Sequence, residues 1–222
     1  MIYKYDDLDS VDIEMAVTTH CNARCRYCPR TDKVTGKKIS WLTLSHMKLS
    51  TFKAIITGQS MIRHIKICGE FGDPVMNPHL KDMIDYAMTT TKVTMMINTN
   101  GGLRNTSWYK KLAAAYGKRI VIVFGIDGLD HETNWKYREG VEFDKAYNNM
   151  LTFYRNGGRV KWQFILFEWN VHQIEDAKKQ ADALGITMIF IVDHFYSASM
   201  SDLEIDDIRE RLKKIGVEYR KF

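Results

Sequence analysis

Apolar runs of strand length alternate with amphipathic runs of helix length six times along this chain, and no other feature constrains the fold as much. Strands are predicted over 12–19, 64–68, 93–98, 120–126, 160–167 and 188–192. Helices are predicted over 40–57, from Asn77 or Pro78 through Met88, and over 106–116, 143–156, 171–184 and 201–215. The helical period is clearest at Leu42, Leu44, Met47, Phe52, Ile55 and Ile56, and at Leu80, Met83, Ile84 and Met88. Thr106 and Ser201 or Asp202 are placed to cap helices, and Gly117, Gly157, Gly185 and Gly216 to end them. The stretch 127–142 reads as a long loop and the tail VEYRKF as an edge strand.

Strict alternation implies parallel strands joined by right-handed crossovers. The strands are near-continuous apolar runs, as expected when both faces are covered. Six units are too few for a closed eightfold barrel. The α/β fold that fits is a partial, open (β/α)6 TIM-like barrel; a doubly wound sheet has the same pattern. In either architecture chemistry gathers at the carboxyl ends of the strands. The 222 residues suffice for one core, and three prolines and no Gly/Ser tract mark no linker, so 1–222 is read as a single domain. The net charge of +5 tilts only mildly toward anionic partners. The N-terminus lacks an apolar signal region, and no stretch approaches the ~18 apolar residues of a membrane helix. A reducing, cytoplasmic setting is expected, because four clustered cysteines do not make a disulfide framework.

Residues 19–29, THCNARCRYCP, follow the first strand and hold Cys21, Cys25 and Cys28 in a C-x3-C-x2-C spacing. Three thiolates within one loop can face a common centre, and soft ligands of this kind favour iron–sulfur clusters or zinc. Structural zinc wants four ligands, whereas a [4Fe–4S] cluster held by three cysteines keeps one iron open. A zinc loop and three merely neighbouring thiols both remain open on this evidence. Cys68, at the end of the second strand, is either a fourth ligand or a small buried hydrophobe.

The C-x3-C-x-Tyr-C loop resembles the signature of the radical S-adenosylmethionine (radical SAM) superfamily, with Tyr27 as its aromatic residue. The resemblance implies a [4Fe–4S] cluster on Cys21, Cys25 and Cys28, with SAM chelating the open iron. Reductive cleavage of SAM would then give a 5′-deoxyadenosyl radical that abstracts hydrogen from a substrate of unknown class: peptide, nucleotide, sugar or another molecule. Tyr27 would meet the adenine through its backbone. Gly72-Asp73-Pro74 is similar to the family's G-E-P element, which receives the methionine amino group. Aspartate replaces the usual glutamate there, and Glu70 stands nearby as a substitute. Asn98-Thr99-Asn100-Gly101 resembles its T-N-G element, with Asn98 a cofactor contact. Gly125-Ile126-Asp127-Gly128-Leu129 and Tyr137-Arg138-Glu139-Gly140 resemble a stretch that approaches the ribose, through Asp127, and the SAM carboxylate, through Arg138. Gly125 stands where serine is usual. Arg138 has an ordinary alternative, a surface ion pair with Glu139 or Glu142. Asn170 is expected as an N-cap, and His194 and Tyr196 as substrate contacts. No cysteine follows Cys68, so a single cluster and a minimal form of the fold are expected, completed by a partner protein, a second subunit or a large substrate. An electron donor such as a flavodoxin or ferredoxin is implied. Rival functions are a non-catalytic iron–sulfur or zinc protein and an accessory homologue that supports a partner.

Overall fold

A computed structural model describes residues 10–192, 200–217 and 219–220. Seven strands form one parallel sheet in the order of the chain: β1 (Val11–Met15), β2 (Ile62–Ile67), β3 (Thr94–Thr99), β4 (Ile120–Gly125), β5 (Arg159–Ile165), β6 (Thr187–Ile191) and β7 (Tyr219–Arg220). The order never reverses. Right-handed crossovers that always step the same way put the helices on one face, which excludes the doubly wound arrangement and its switch point. β1 and β7 are the two edges and do not pair, so the barrel is open. The tail strand expected at the C-terminus is β7, which pairs with β6.

The helices are α1 (Leu49–Ile56), α2 (Leu80–Thr90), α3 (Thr106–Tyr116), α4 (His131–Tyr137), α5 (Phe143–Arg155), α6 (Ile174–Leu184) and α7 (Asp202–Lys214). One parity of strand residues packs under them: Ile65, Ile67, Met95, Ile97, Ile122, Phe124, Trp162, Phe164 and Phe190 are all but fully buried. The other parity is covered only in part: Val123, Ile165, Ile189 and Ile191 are buried, but the expectation of two buried faces fails toward β1–β3. Glu14, Lys66, Asn98 and Gln163 are half-buried or exposed and line a cavity on the concave side. Strand register aligns them: Glu14 pairs with Lys66, Asn98 with Val123, and Gly125 with Gln163.

Four local readings are corrected. The first helix is half as long as its apolar stripe suggested, because 43–47 is captured by β1's extension: Met47 N–H donates to Val17 O at 2.8 Å and Thr19 N–H to Ser45 O at 3.0 Å. Helix α4 lies within the stretch read as loop, capped by Asp130, whose carboxylate accepts from Thr133 N–H at 2.7 Å. Asn105, not Thr106, caps α3 by accepting from Trp108 N–H at 3.0 Å. Helix α2 starts at Leu80, after a 3-10 turn over Pro74–Met76. No helix among the described residues is long and apolar enough to cross a membrane.

Candidate functional site

The loop after β1 folds tightly on itself. Cys28 N–H donates to Cys25 O at 3.1 Å and Thr31 N–H to Cys28 O at 2.8 Å. Arg30, nearly buried, straps the two ends of the loop by donating from Nη1 to Cys21 O (3.4 Å) and from Nη2 to Thr19 O (3.2 Å). Ala23 N–H points at Cys21 Sγ, 3.4 Å away. The loop is pinned from outside by Arg24 N–H on Glu139 O at 2.8 Å. Asn100 reaches over from the end of β3, donating to Asn22 Oδ1 at 2.9 Å with Cys21 Sγ at 3.8 Å.

Cys21, Cys25 and Cys28 are free thiols on the wall of one cavity of about 640 Å³ at the carboxyl ends of the strands. Burial pushes the Cys25 thiol up to about 12, against the opposing pull of Arg138, and raises Cys21 and Cys28 as well. Cys68 shares the cavity on the β2 side, where burial and its contact with Glu14 push it up to about 11. The other walls are Gly72, Asp73, Asn98, Gly125, Arg138 and Gln163.

Asp73 lines the cavity, but its carboxylate is fully engaged. Its oxygens accept from Val75 N–H (2.9 Å), the Thr99 hydroxyl (2.9 Å to the nearer oxygen) and Asn100 N–H (2.8 Å). It is thus a buried staple between the β2 and β3 loops, with three donors already on its carboxylate. Burial raises its pKa and these donors oppose the rise. Pro74 starts the 3-10 turn and does not line the cavity. Glu70, exposed, stands on the same wall and makes no ion pair among the described residues. Asn98 places Oδ1, a buried acceptor without a partner, at the cavity.

Asp127 also lies off the cavity wall. Its side chain is fully buried, with Ile165 N–H on Oδ1 and Arg138 Nε on Oδ2, both at 2.6 Å. Arg138 is therefore not in a surface pair with Glu139 or Glu142, and Glu139 instead holds Arg24 at 2.6 Å. Burial opposes the charge on Arg138, but the Asp127 carboxylate together with Cys25 and Tyr137 outweighs it and lifts the guanidinium pKa well above its ordinary range. With Nε held from behind, the two Nη groups are turned toward the end of β4. A Cβ at Gly125 would lie 2.5 Å from Nη2, so the guanidinium occupies the space a side chain there would need.

Tyr27 turns its ring away from the cavity wall into an aromatic cluster, 5.8 Å from Phe167 and 6.4 Å from Tyr137. Asn170, expected as an N-cap, makes no capping bond. It is wholly buried, accepts from Phe167 N–H at 2.7 Å, and donates to Asp127 O and Ile165 O at 2.9 Å each. His194 and Tyr196 lie outside the described residues. Arg30 and Gln163 were not picked out as site residues from the sequence, and Asn100 was named only within the Asn98–Gly101 element. Gln163 did carry a signal, a polar residue in an apolar strand at the parity of Gly125.

Thiols from one loop line a cavity at the mouth of an open parallel α/β barrel, and the guanidinium of a buried ion pair lines the same cavity. The Radical SAM superfamily model matches residues 15–181, and the chain belongs to that superfamily. A 92-residue segment, 41% of the chain and 26% of the relative, is 32% identical to a GTP 3′,8-cyclase of Chlorobaculum tepidum. Among solved structures, Streptococcus suis SuiB bound to S-adenosylmethionine superposes with a TM-score of 0.74 at 16% identity, covering 97% of this chain and 51% of SuiB. Native anSMEcpe with bound AdoMet superposes at 0.59 and 16% identity, covering 81% of this chain and 50% of that one. The chain spans about half the length of these structures and about a quarter of the cyclase.

Proposed function

We propose that this chain holds a [4Fe–4S] cluster on Cys21, Cys25 and Cys28, binds SAM in the adjoining cavity, and cleaves it reductively to start a hydrogen abstraction. The observation that carries the reading is three free thiols from one loop on the wall of one 640 Å³ cavity. The donor set fits the cluster, since it offers three soft ligands and leaves a fourth position to a small molecule. When bound, the cluster would supply the single electron for reductive cleavage of SAM at its S–C5′ bond.

The chain's own groups bind and orient. Arg138, held at Nε by Asp127, offers the rest of its fork to a carboxylate. Asn98 Oδ1 accepts from a ligand hydroxyl or amine, which satisfies a buried acceptor. The Asp73 carboxylate is consumed internally, so an ammonium group is met by Glu70 and the carbonyls of the 69–72 turn. The three thiols surrender their protons on loading, and Arg138 favours that step electrostatically at Cys25 and Cys28. We further assign a reduced, cytoplasmic setting to the free thiols, an electron donor such as a flavodoxin or ferredoxin to the reduction, and a partner or second subunit to the open edge of the barrel.

The test is anaerobic. Protein reconstituted with iron and sulfide is reduced with dithionite and given SAM, and 5′-deoxyadenosine is quantified alongside iron. About four irons per chain with 5′-deoxyadenosine is the expected result. A protein that binds one zinc and no iron overturns the proposal.

A further inference from the structure

A second cavity, of about 430 Å³, lies on the outer side of the cysteine loop and has no part in the chemistry above. Four cations line it: Arg24, Arg26, Lys33 and Lys136. Lys136 pairs with Glu132 at 3.5 Å, and the cavity's two acids are engaged too. Glu139 holds Arg24 at 2.6 Å, and Asp32 accepts from Val34 N–H (3.1 Å), Thr35 N–H (2.7 Å) and the Thr35 hydroxyl (2.9 Å). The hairpin closed by the Thr31–Lys38 bridge adds Lys37 and Lys38, both exposed. Six of the residues from 24 to 38 are basic and only Asp32 is acidic, in a chain whose whole net charge is +5. Two large side chains stand exposed among these charges, Val34 at 94% and Trp135 at 36%.

The placement matters more than the charge. Arg24 and Arg26 face this cavity, while Cys25 between them faces the inner one. Tyr137 lines both cavities, so the wall between the cationic surface and the thiols is one loop and one aromatic ring thick. An anionic protein surface is attracted to such a concavity and steered onto it, and exposed apolar and aromatic groups give the contact its hold.

We propose that this cavity and the 31–38 hairpin form the docking face for an acidic protein that carries single electrons. The inference rests on the cluster reading given above. In the docked complex one electron passes from the reduced carrier through the wall of the loop to the iron–sulfur group. The carrier is oxidised by one electron, the cluster is reduced by one, and no atom is transferred. A nucleic acid would also answer to the charge, but nothing in its chemistry explains why the cations back directly onto the thiols.

The test uses reconstituted protein, reduced flavodoxin as the acidic carrier, and the variant Arg26→Glu/Lys33→Glu/Lys136→Glu, all three positions being exposed. With dithionite, which needs no docking face, the variant forms 5′-deoxyadenosine within about twofold of the wild type. With flavodoxin its rate falls about tenfold or more, and the wild-type rate falls as salt rises. Flavodoxin titrated directly onto both proteins shows the same loss of affinity. A variant that keeps both its flavodoxin-driven rate and its flavodoxin affinity overturns the proposal, as does one that keeps them and loses only affinity for a single-stranded RNA oligonucleotide. Failure of dithionite to drive any cleavage in the wild type sinks the cluster-and-SAM reading instead, and the flavodoxin titration then still decides whether the face binds an acidic carrier. The milder Lys33→Gln/Lys136→Gln variant gives the same ordering if the triple reversal does not fold.

Discussion

Gly125→Ala separates this structure from a simple reading by resemblance. The family motif that this stretch resembles carries serine at that position, so a small side chain there ought to be harmless. A glycine replaced near the end of a strand, at a φ that is not positive, should even gain roughly 0.4–1 kcal/mol from a less flexible unfolded chain. The structure predicts the opposite sign. The new Cβ would sit 2.5 Å from Arg138 Nη2 and 3.0 Å from Cζ, where ordinary contact begins at 3.4 Å. The guanidinium must retreat by about 0.9 Å, and it is held at Nε by Asp127 at 2.6 Å. Overpacking of this kind costs about 1–3 kcal/mol, and outright loss of the buried pair about 3–5. Since Arg138 can yield toward the cavity, the lower range applies, and about 2 kcal/mol corresponds to a fall in Tm of roughly 4–8 °C for a chain of this size. The assay is thermal unfolding of the apo protein followed by circular dichroism. In an Asp127→Asn/Arg138→Met background the penalty should vanish, because the obstructing group is gone. A Tm for Gly125→Ala equal to or above that of the wild type, or the same loss in both backgrounds, would refute the placement of the guanidinium.

Three further outcomes are expected. The Cys25 thiol, with an ordinary value of 9.0, is raised to about 12, so the folded apo protein keeps a proton that the unfolded chain releases. Stability from this group is full below pH 9 and declines by about 1.4 kcal/mol per pH unit between 9 and 12; urea titrations from pH 8 to 10.5 should show a shallower decline in Cys25→Ala than in the wild type, the remaining slope coming from Cys21, Cys28 and Cys68, which burial also raises. Cys68→Ser should retain wild-type iron while Cys25→Ala assembles no cluster, and iron lost equally in both would make Cys68 a ligand. Asn170→Ala strips three hydrogen bonds from a wholly buried amide, leaving Phe167 N–H and two carbonyls unpaired; at about 1–3 kcal/mol per orphaned group the apo protein should melt roughly 10 °C lower, and an unchanged melting curve would remove its bracing role.

What the sequence made legible follows from the range of the interaction concerned. Strand and helix periods are local, and six of the seven strands and most helices stand where the apolar pattern put them. Where a distant partner decides, the pattern misled. Residues 40–48 carry helical spacing at Leu42, Leu44 and Met47, yet the backbone of this stretch pairs with Val17 and Thr19, and Leu44 is left 44% exposed. The short helix α4 was hidden for another reason: seven residues give barely two turns, too few for a period, although the Asp130 cap was visible. The choice between an open barrel and a doubly wound sheet was never in the sequence, because both share one alternation and differ only in strand order.

The site divides along the same line. The thiols share one loop, so their convergence on a cavity was readable from spacing. The polar groups opposite them were read one motif at a time, as though each faced a ligand. Folding instead spends two of the three carboxylates named there on the protein itself: Asp73 on the β3 turn and Asp127 on β5 and Arg138. Such a use costs less than leaving buried N–H groups unpaired, so it is the default for an acid at a crowded strand end. It also changes what each residue can do. Asp127, off the cavity wall, orients Arg138, and the absence of a side chain at Gly125 is what gives that guanidinium its room. Gly125, Asp127 and Arg138 thus form one device spread over β4 and the end of α4, and a sequence read motif by motif registers two matches to a family pattern, Asp127 and Arg138, and one departure, Gly125.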